Sequence, residues 1–199
     1  MENAAPLDVA VVGGGVAGLG VAWRLVERGR RVAVFERGEA GRGATWAAAG
    51  MLAPAAELGF EELALYALGR ESLGRWPAFA RALEKASGVP VGYDATGTLV
   101  VADDRDAAGL IRRLYAFQRA QGAPVAWLSP DEALDREPLL SPRIAGAVWS
   151  PEDHQVDHRA VARALVAVAR RAGALREGTA VRAVEPGEPP AVVLEGGAR

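Results

Sequence analysis

Four apolar residues, Val9-Ala10-Val11-Val12, run directly into Gly13-Gly14-Gly15-Val16-Ala17-Gly18. An amphipathic pattern follows from Val16 to Arg28, with Leu19, Trp23 and Val26 on one face and Gly29 as its stop. A second apolar run, Val32-Ala33-Val34-Phe35, then ends on Glu36. Strand, Gly-x-Gly-x-x-Gly turn, helix, strand and acid in this order form a βαβ unit of a parallel sheet, and they are the fingerprint of a dinucleotide site. Each glycine has its own task. Gly13 permits the tight turn, Gly15 lets the backbone approach a pyrophosphate, and Gly18 lets the helix pack closely on the strand. The helix start offers unpaired N–H groups and the positive end of a dipole to the phosphates. Glu36 is placed to accept hydrogen bonds from ribose hydroxyls and would repel a 2′-phosphate, which disfavours NADP. The fingerprint leaves FAD and NAD both open; its place at the start of the chain leans towards FAD. A glycine-rich turn that binds nothing would have to reproduce all five parts in order by chance.

The 199 residues suffice for one large domain or two small ones, and a hydrophobic content of 50% allows a sizeable core. The formal net charge is −2 and the basic residues are scattered, which argues against a nucleic-acid surface. The absence of cysteine excludes disulfides, thiolate catalysis and Cys-ligated metal, and fits a cytoplasmic protein. Met1 to Asp8 is polar, without the basic and apolar regions of a signal peptide. No apolar run is long enough to span a bilayer, so no membrane partner is expected.

Beyond Glu36, Gly38 to Gly43 reads as a loop, and Thr45 to Ala53 is small, apolar and glycine-bearing. Phe60 to Ala86 is helical in pattern, with a break expected at Trp76-Pro77 and Gly88 as C-cap. Thr98 to Val101 reads as a strand. Asp103 to Gln121 reads as a helix with Leu110, Ile111, Leu114 and Phe117 on its apolar face. Val125 to Leu128 is a short strand. Ser129-Pro130-Asp131-Glu132 has the capping-box pattern of a helix start. Ile144 to Trp149 is a further strand, Asp157 caps a helix from His158 to Ala172, and Ala180–Val184 and Ala191–Leu194 are two strands joined by a turn.

The segment Thr45 to Met51 admits two readings, a buried helix start or a loop whose bare backbone lies against a flat ring or phosphates. A resemblance bears on the choice. Gly13-Gly14-Gly15-Val16-Ala17-Gly18, then Phe35-Glu36-Arg37-Gly38, then Ala47-Ala48-Ala49-Gly50-Met51-Leu52 resemble the D-amino-acid-oxidase-like flavoproteins, in particular the glycine oxidases of thiamine biosynthesis. Gly97-Thr98-Leu99-Val100 and Gly178-Thr179-Ala180-Val181 extend the resemblance along the chain. The resemblance implies an α/β fold in which an incomplete Rossmann-like FAD-binding domain, residues 1–86 and 151–199, carries part of an α+β substrate domain, 87–150. It implies FAD as cofactor. Val16 and Ala17 would meet the pyrophosphate, Glu36 and Arg37 the adenosine ribose, and Ala44 and Thr45 the phosphates. Ala49, Gly50 and Met51 would line the isoalloxazine, and Val181 would meet adenine. The implied reaction is oxidation of glycine or a similar small amine or amino acid to an imine, with O₂ as electron acceptor and H₂O₂ as product. Trp46 departs from the pattern: relatives usually carry a small residue such as Ser there, so the indole must turn outward or reshape the loop.

His154 and His158 are the only histidines. With Asp157 as helix cap, His154 precedes the helix, so the pair does not share one face and no metal is expected. Glu61-Glu62, Asp103-Asp104 and Asp131-Glu132 read as solvated helix starts. No residue here takes a catalytic role. The family's substrate-binding arginine and tyrosine would fall beyond Arg199. The chain alone is therefore expected to lack turnover and to form an oligomer or pair with a complementary segment.

Overall fold

The computed structural model describes residues 6–197. Met1 to Ala5 of the polar N-terminal stretch, and Ala198-Arg199 at the expected chain end, lie outside the described residues. In chain order the elements are β1 (Val9–Val12), α1 (Val16–Glu27), β2 (Val32–Phe35), α2 (Ala44–Ala47), β3 (Met51–Leu52), α3 (Leu63–Ser87), β4 (Thr98–Ala102), α4 (Arg105–Ala120), β5 (Ala126–Leu128), α5 (Pro130–Arg136), β6 (Gly146–Ser150), β7 (His154–Gln155), α6 (His158–Arg171), β8 (Leu175–Arg176), β9 (Val181–Glu185) and β10 (Ala191–Leu194). They divide into two compact units. The first takes the residues up to 49, 80–91 and 157 onward; the second takes 50–79 and 92–156.

In the first unit a parallel sheet has the order β1-β2-β8, with Val9 opposite Val32 and Val34 opposite Leu175. β2 is central, and Val32, Ala33 and Val34 are all buried, as a strand covered on both faces requires. β1 lies at the edge. Val9 and Val11 are half-buried, Ala10 is exposed, and Val12 remains 54% exposed. An ion pair ties the strand starts together: Arg31 donates its N–H and guanidinium to the Asp8 carboxylate at 2.8 Å each. These bonds hold the Asp8 carboxyl down at about 2.

α1 and α6 pack together, burying Leu19 and Trp23 from one and Val161 and Leu165 from the other. Each such aliphatic side chain contributes about 2 kcal/mol through burial. The alanines of α6, Ala160, Ala162, Ala164 and Ala169, are buried too and permit close approach. Asp157 caps α6 by accepting from the Arg159 and Ala160 N–H groups, which lowers its pKa. β9 and β10 pair as an antiparallel hairpin.

The second unit carries an antiparallel sheet of order β4-β6-β5 and the short antiparallel pair β3-β7. Its core joins Ala55, Leu58, Tyr66, Ala123, Val125 and Val148. The capping box of Ser129 and Glu132 forms as read, which also lowers the Glu132 pKa. Two expectations are corrected. First, α3 continues through Pro77. The proline removes only the hydrogen bond to the Leu73 carbonyl, while Leu73, Ala80 and Leu83 are all buried. Second, Leu110 is 56% exposed. Of the expected face, Ile111 and Phe117 do pack on the core; Ala108, Tyr115 and Gln118 join them, and the Gln118 amide, buried, donates to the Ala55 and Leu58 carbonyls at 3.0 and 3.2 Å. β3, β7 and β8, of two residues each, carry no periodicity that sequence could reveal. Among the described residues no helix is long and apolar enough to cross a membrane.

Candidate functional site

The glycine turn between β1 and α1 is built from close approaches. Gly13 has φ +104°, a backbone open to glycine, and its N–H donates to the Phe35 carbonyl at 2.9 Å. A Cβ on Gly18 would fall 2.1 Å from the Gly13 carbonyl oxygen and 3.2 Å from Val11 Cγ1, so only glycine lets α1 sit this close to β1. Gly15 is the N-cap of α1 and supplies no side chain to it. A Cβ there would meet only Thr45 Oγ1, at 3.4 Å. The helix start is thus presented bare, apart from one bond: the Val16 N–H donates to Thr45 Oγ1 at 3.0 Å. Val16 and Ala17 are exposed. Because the Thr45 oxygen accepts from Val16, the hydroxyl proton is left to donate elsewhere.

Glu36 closes β2 and reaches back to this turn. Its Oε2 accepts from the Gly14 N–H and its Oε1 from the Gly38 N–H, both at 2.8 Å. Each oxygen keeps a second lone pair, and the side chain is only half-buried, so the carboxylate remains able to accept from a ligand. Sequence reading singled out Glu36 for a ligand; it missed that the same carboxylate braces the turn. The turn before β9 docks here too, with the Thr179 N–H on the Glu36 carbonyl at 2.8 Å and the Gly178 N–H on the Gly38 carbonyl at 3.2 Å. Val181, half-buried, begins β9 just beyond. Glu177 accepts from the Ala40 N–H at 2.9 Å, and that bond, with help from Arg170, lowers its pKa.

Gly13, Gly15, Val16, Ala17, Gly18, Glu36 and Thr45 are therefore gathered at one place. Arg37 and Ala44 are exposed alongside Glu36 and Thr45 in the chain. Ala49 ends the first unit's leading segment, while Gly50 and Met51 open the second unit. There Gly50, at φ +83°, accepts from the Val156 N–H at 2.9 Å, and Met51, 48% exposed, pairs with Gln155.

Trp46 resolves the question its size posed. The indole turns onto two arginines: the Arg42 guanidinium lies 3.9 Å from the ring centre and that of Arg159 lies 5.1 Å away. The Trp46 carbonyl is bonded by His158 Nε2 at 3.1 Å and Arg159 Nε at 3.3 Å. His154 belongs to the second unit, where its Nδ1 and the Tyr93 hydroxyl are 2.6 Å apart. The two histidines thus serve separate units and separate partners.

A second concavity, of about 280 Å³, lies within the second unit between α3 and the segment before it. Leu58, Tyr66, Leu73 and Trp76 line it, with Glu57 and Glu62 among its polar residues. The Tyr66 hydroxyl is buried without a hydrogen bond; burial pushes its pKa up, against the opposing charge of Arg70. None of the residues given a cofactor-binding role from sequence lines this cleft, and Glu62, expected at a solvated helix start, does.

Comparison with known proteins identifies the arrangement. The model of a family described as FAD dependent oxidoreductase matches residues 8–199. A glycine oxidase of Geobacillus kaustophilus is 40% identical over 168 residues, which cover 84% of this chain and 44% of that protein. A putative thiamine biosynthesis oxidoreductase of Rhizobium etli is 36% identical over 162 residues, 81% of this chain and 45% of that one. Among solved structures, the crystal structure of glycine oxidase from Geobacillus kaustophilus superposes with a TM-score of 0.88 at 38% identity, covering 96% of this chain and 52% of that chain. The chain spans about half the length of the relatives it matches.

Proposed function

This chain belongs to the FAD dependent oxidoreductase family, and on that premise we propose that it holds FAD at the glycine turn and serves the oxidation of glycine or a close small amine. The observation that carries the reading is the Glu36 carboxylate, fixed by two backbone N–H groups beside a helix start whose N-cap is a glycine and whose Val16 N–H donates to the Thr45 side chain, with lone pairs left over. Those residues fit the adenosine and pyrophosphate parts of the cofactor. The exposed N-terminal N–H groups of α1 would bind pyrophosphate oxygens, favoured by the helix dipole. Thr45 would donate its hydroxyl proton to a phosphate oxygen. Glu36 would accept from the ribose hydroxyls, with Arg37 beside it, and Val181 would offer its main chain to adenine. Ala44 would lie near the phosphates, and Ala49, Gly50 and Met51 would line the flavin ring with backbone and one flexible side chain.

FAD, when bound, supplies the two-electron acceptor: the amine loses two electrons and two protons to become an imine, water hydrolyses the imine to oxo acid and ammonia, and O₂ takes the electrons to leave as H₂O₂. The protein's part is to orient and to exclude. The glycine oxidase relatives support glycine as substrate, and the name of the Rhizobium relative supports a role in thiamine biosynthesis. Residues 1–86 and 151–199 would form the cofactor domain and 87–150 part of the substrate domain, a functional division that differs from the compact units chiefly in giving 50–79 to the cofactor domain.

Titration of the chain with FAD, followed by flavin fluorescence with NAD and NADP as comparators, tests the cofactor reading. Saturable binding of FAD alone supports it, and a preference for NAD overturns it. Glycine-dependent bleaching of the visible flavin band, with sarcosine and D-alanine alongside, then tests the substrate.

A further inference from the structure

α2 is one turn of helix that ought not to persist by itself. Four residues are too few to repay helix nucleation. It has no side-chain cap at Gly43 and none of its residues is fully buried, so its half-buried packing against α6 is a weak hold by itself. Yet it carries Thr45, whose oxygen receives the first N–H of α1. Polar contacts add to that hold, and they converge on the next residue. The Trp46 carbonyl accepts from His158 and Arg159, the first two residues of α6, and the indole lies against Arg42 and Arg159. α6 is itself anchored by its Asp157 cap and a buried apolar face. Arg42 is steadied by Glu39 at 3.1 Å. A small residue in place of Trp46 would keep the carbonyl but leave both guanidinium planes without their aromatic surface.

We propose that His158 and Arg159 are positioning residues for the cofactor: through the Trp46 carbonyl and indole they fix α2, and so hold the Thr45 hydroxyl at the head of α1, aimed to donate to a phosphate oxygen. The inference rests on the reading of that helix start as the pyrophosphate site. His158 fulfils the role in any state with a proton on Nε2. Arg159 acts twice, as donor and as the cation over the ring, and so is the stronger member of the pair.

The test is the affinity of the chain for FAD, read by flavin fluorescence, together with the thermal midpoint. The double variant His158→Ala, Arg159→Leu should bind FAD about tenfold more weakly, the scale of one or two lost hydrogen bonds. Its midpoint should stay close to the parent, since the Asp157 cap remains. His158→Gln, which keeps a donor at similar reach, should restore affinity relative to His158→Ala. In a Thr45→Val background Arg159→Leu should cost nothing further, because the loss is already complete; non-additivity of this kind identifies an effect that passes through Thr45. Undiminished affinity in the double variant, alongside weakened binding by Thr45→Val, would overturn the positioning role and leave the site reading standing. Fully additive losses would overturn it too. If Thr45→Val and Gly15→Val both bind FAD normally, the site reading itself fails.

Discussion

Glu36 and Asp153 do the same local work. Each accepts from two backbone N–H groups, Gly14 and Gly38 at 2.8 Å for Glu36, Ala55 and Ala56 at 3.0 and 2.7 Å for Asp153. Their surroundings separate them. Asp153 is wholly buried, in the second unit, so its remaining lone pairs face protein. Glu36 is half-buried beside a bare helix start, so its remaining lone pairs face outward. One carboxylate is a structural staple. The other is a staple that is also available to a ligand. What makes a site is the access left after the backbone has been satisfied, not the number of hydrogen bonds.

The sharpest break of that contrast is Gly15→Val. The chain leaves room there, with only Thr45 Oγ1 near the added carbon, so the variant should fold. The side chain would still occupy the ground where the backbone meets the pyrophosphate, and FAD affinity should fall by about a hundredfold or more. A folded variant that binds FAD normally would show the glycine turn to be misread. Next comes Asp153→Ala, which strands the buried Ala55 N–H and loses the half-buried Ala56 bond, and should cost about 2–3 kcal/mol in urea unfolding, with FAD affinity untouched. Glu36→Ala should behave in the opposite sense. Of its N–H partners Gly14 is buried but Gly38 is exposed and can turn to water, and the Glu36 side chain is itself only half-buried, so stability should change less, while FAD binding weakens by about 1–3 kcal/mol. Equal effects of the two replacements on both measurements would dissolve the distinction.

A third carboxylate completes the scale with the smallest effect. Asp8 is exposed and bonded to Arg31, first through the guanidinium and then through the backbone N–H, and its pKa is lowered from 3.8 to about 2. A carboxyl depressed in the folded state contributes stability above its unfolded value and loses it as pH falls through the folded one. The difference in thermal midpoint between the parent and Asp8→Asn should therefore be constant above about pH 4 and vanish towards pH 2. A difference that grows on acidification would reverse the assignment.

Sequence made the first unit legible because its parts are repeated constraints of known period. The glycines, the unbroken apolar run of β2 and the Asp157 cap each have one physical meaning, and the βαβ unit follows from the first two. The grouping of the candidate site was legible to the same depth: Glu36, Thr45 and the glycines come together from distant positions. What stayed hidden was polar and long-range. Nothing near Gln118 announces that its amide will bond two carbonyls of a turn sixty residues earlier in the chain. Nothing near His158 announces the Trp46 carbonyl. Such pairings depend on how finished elements dock, which local periodicity does not encode. Leu110 shows the converse: periodicity finds the inward stripe, whose Ile111 and Phe117 do pack on the core, but not which residue at its margin stays in solvent.

The edge strand β1 has a consequence for handling the protein. Among the described residues its outer edge is unpaired, with Ala10 and Val12 exposed beside it. Such an edge recruits other strands unless charge keeps molecules apart. Charge is scarce: the net formal charge is −2, and the isoelectric point is near 5.8. Colloidal stability should therefore be poorest in mildly acidic buffer and improve with alkalinity and low ionic strength, as repulsion between like-charged molecules grows and its range lengthens. Light scattering across that range would locate the window in which the chain stays dispersed.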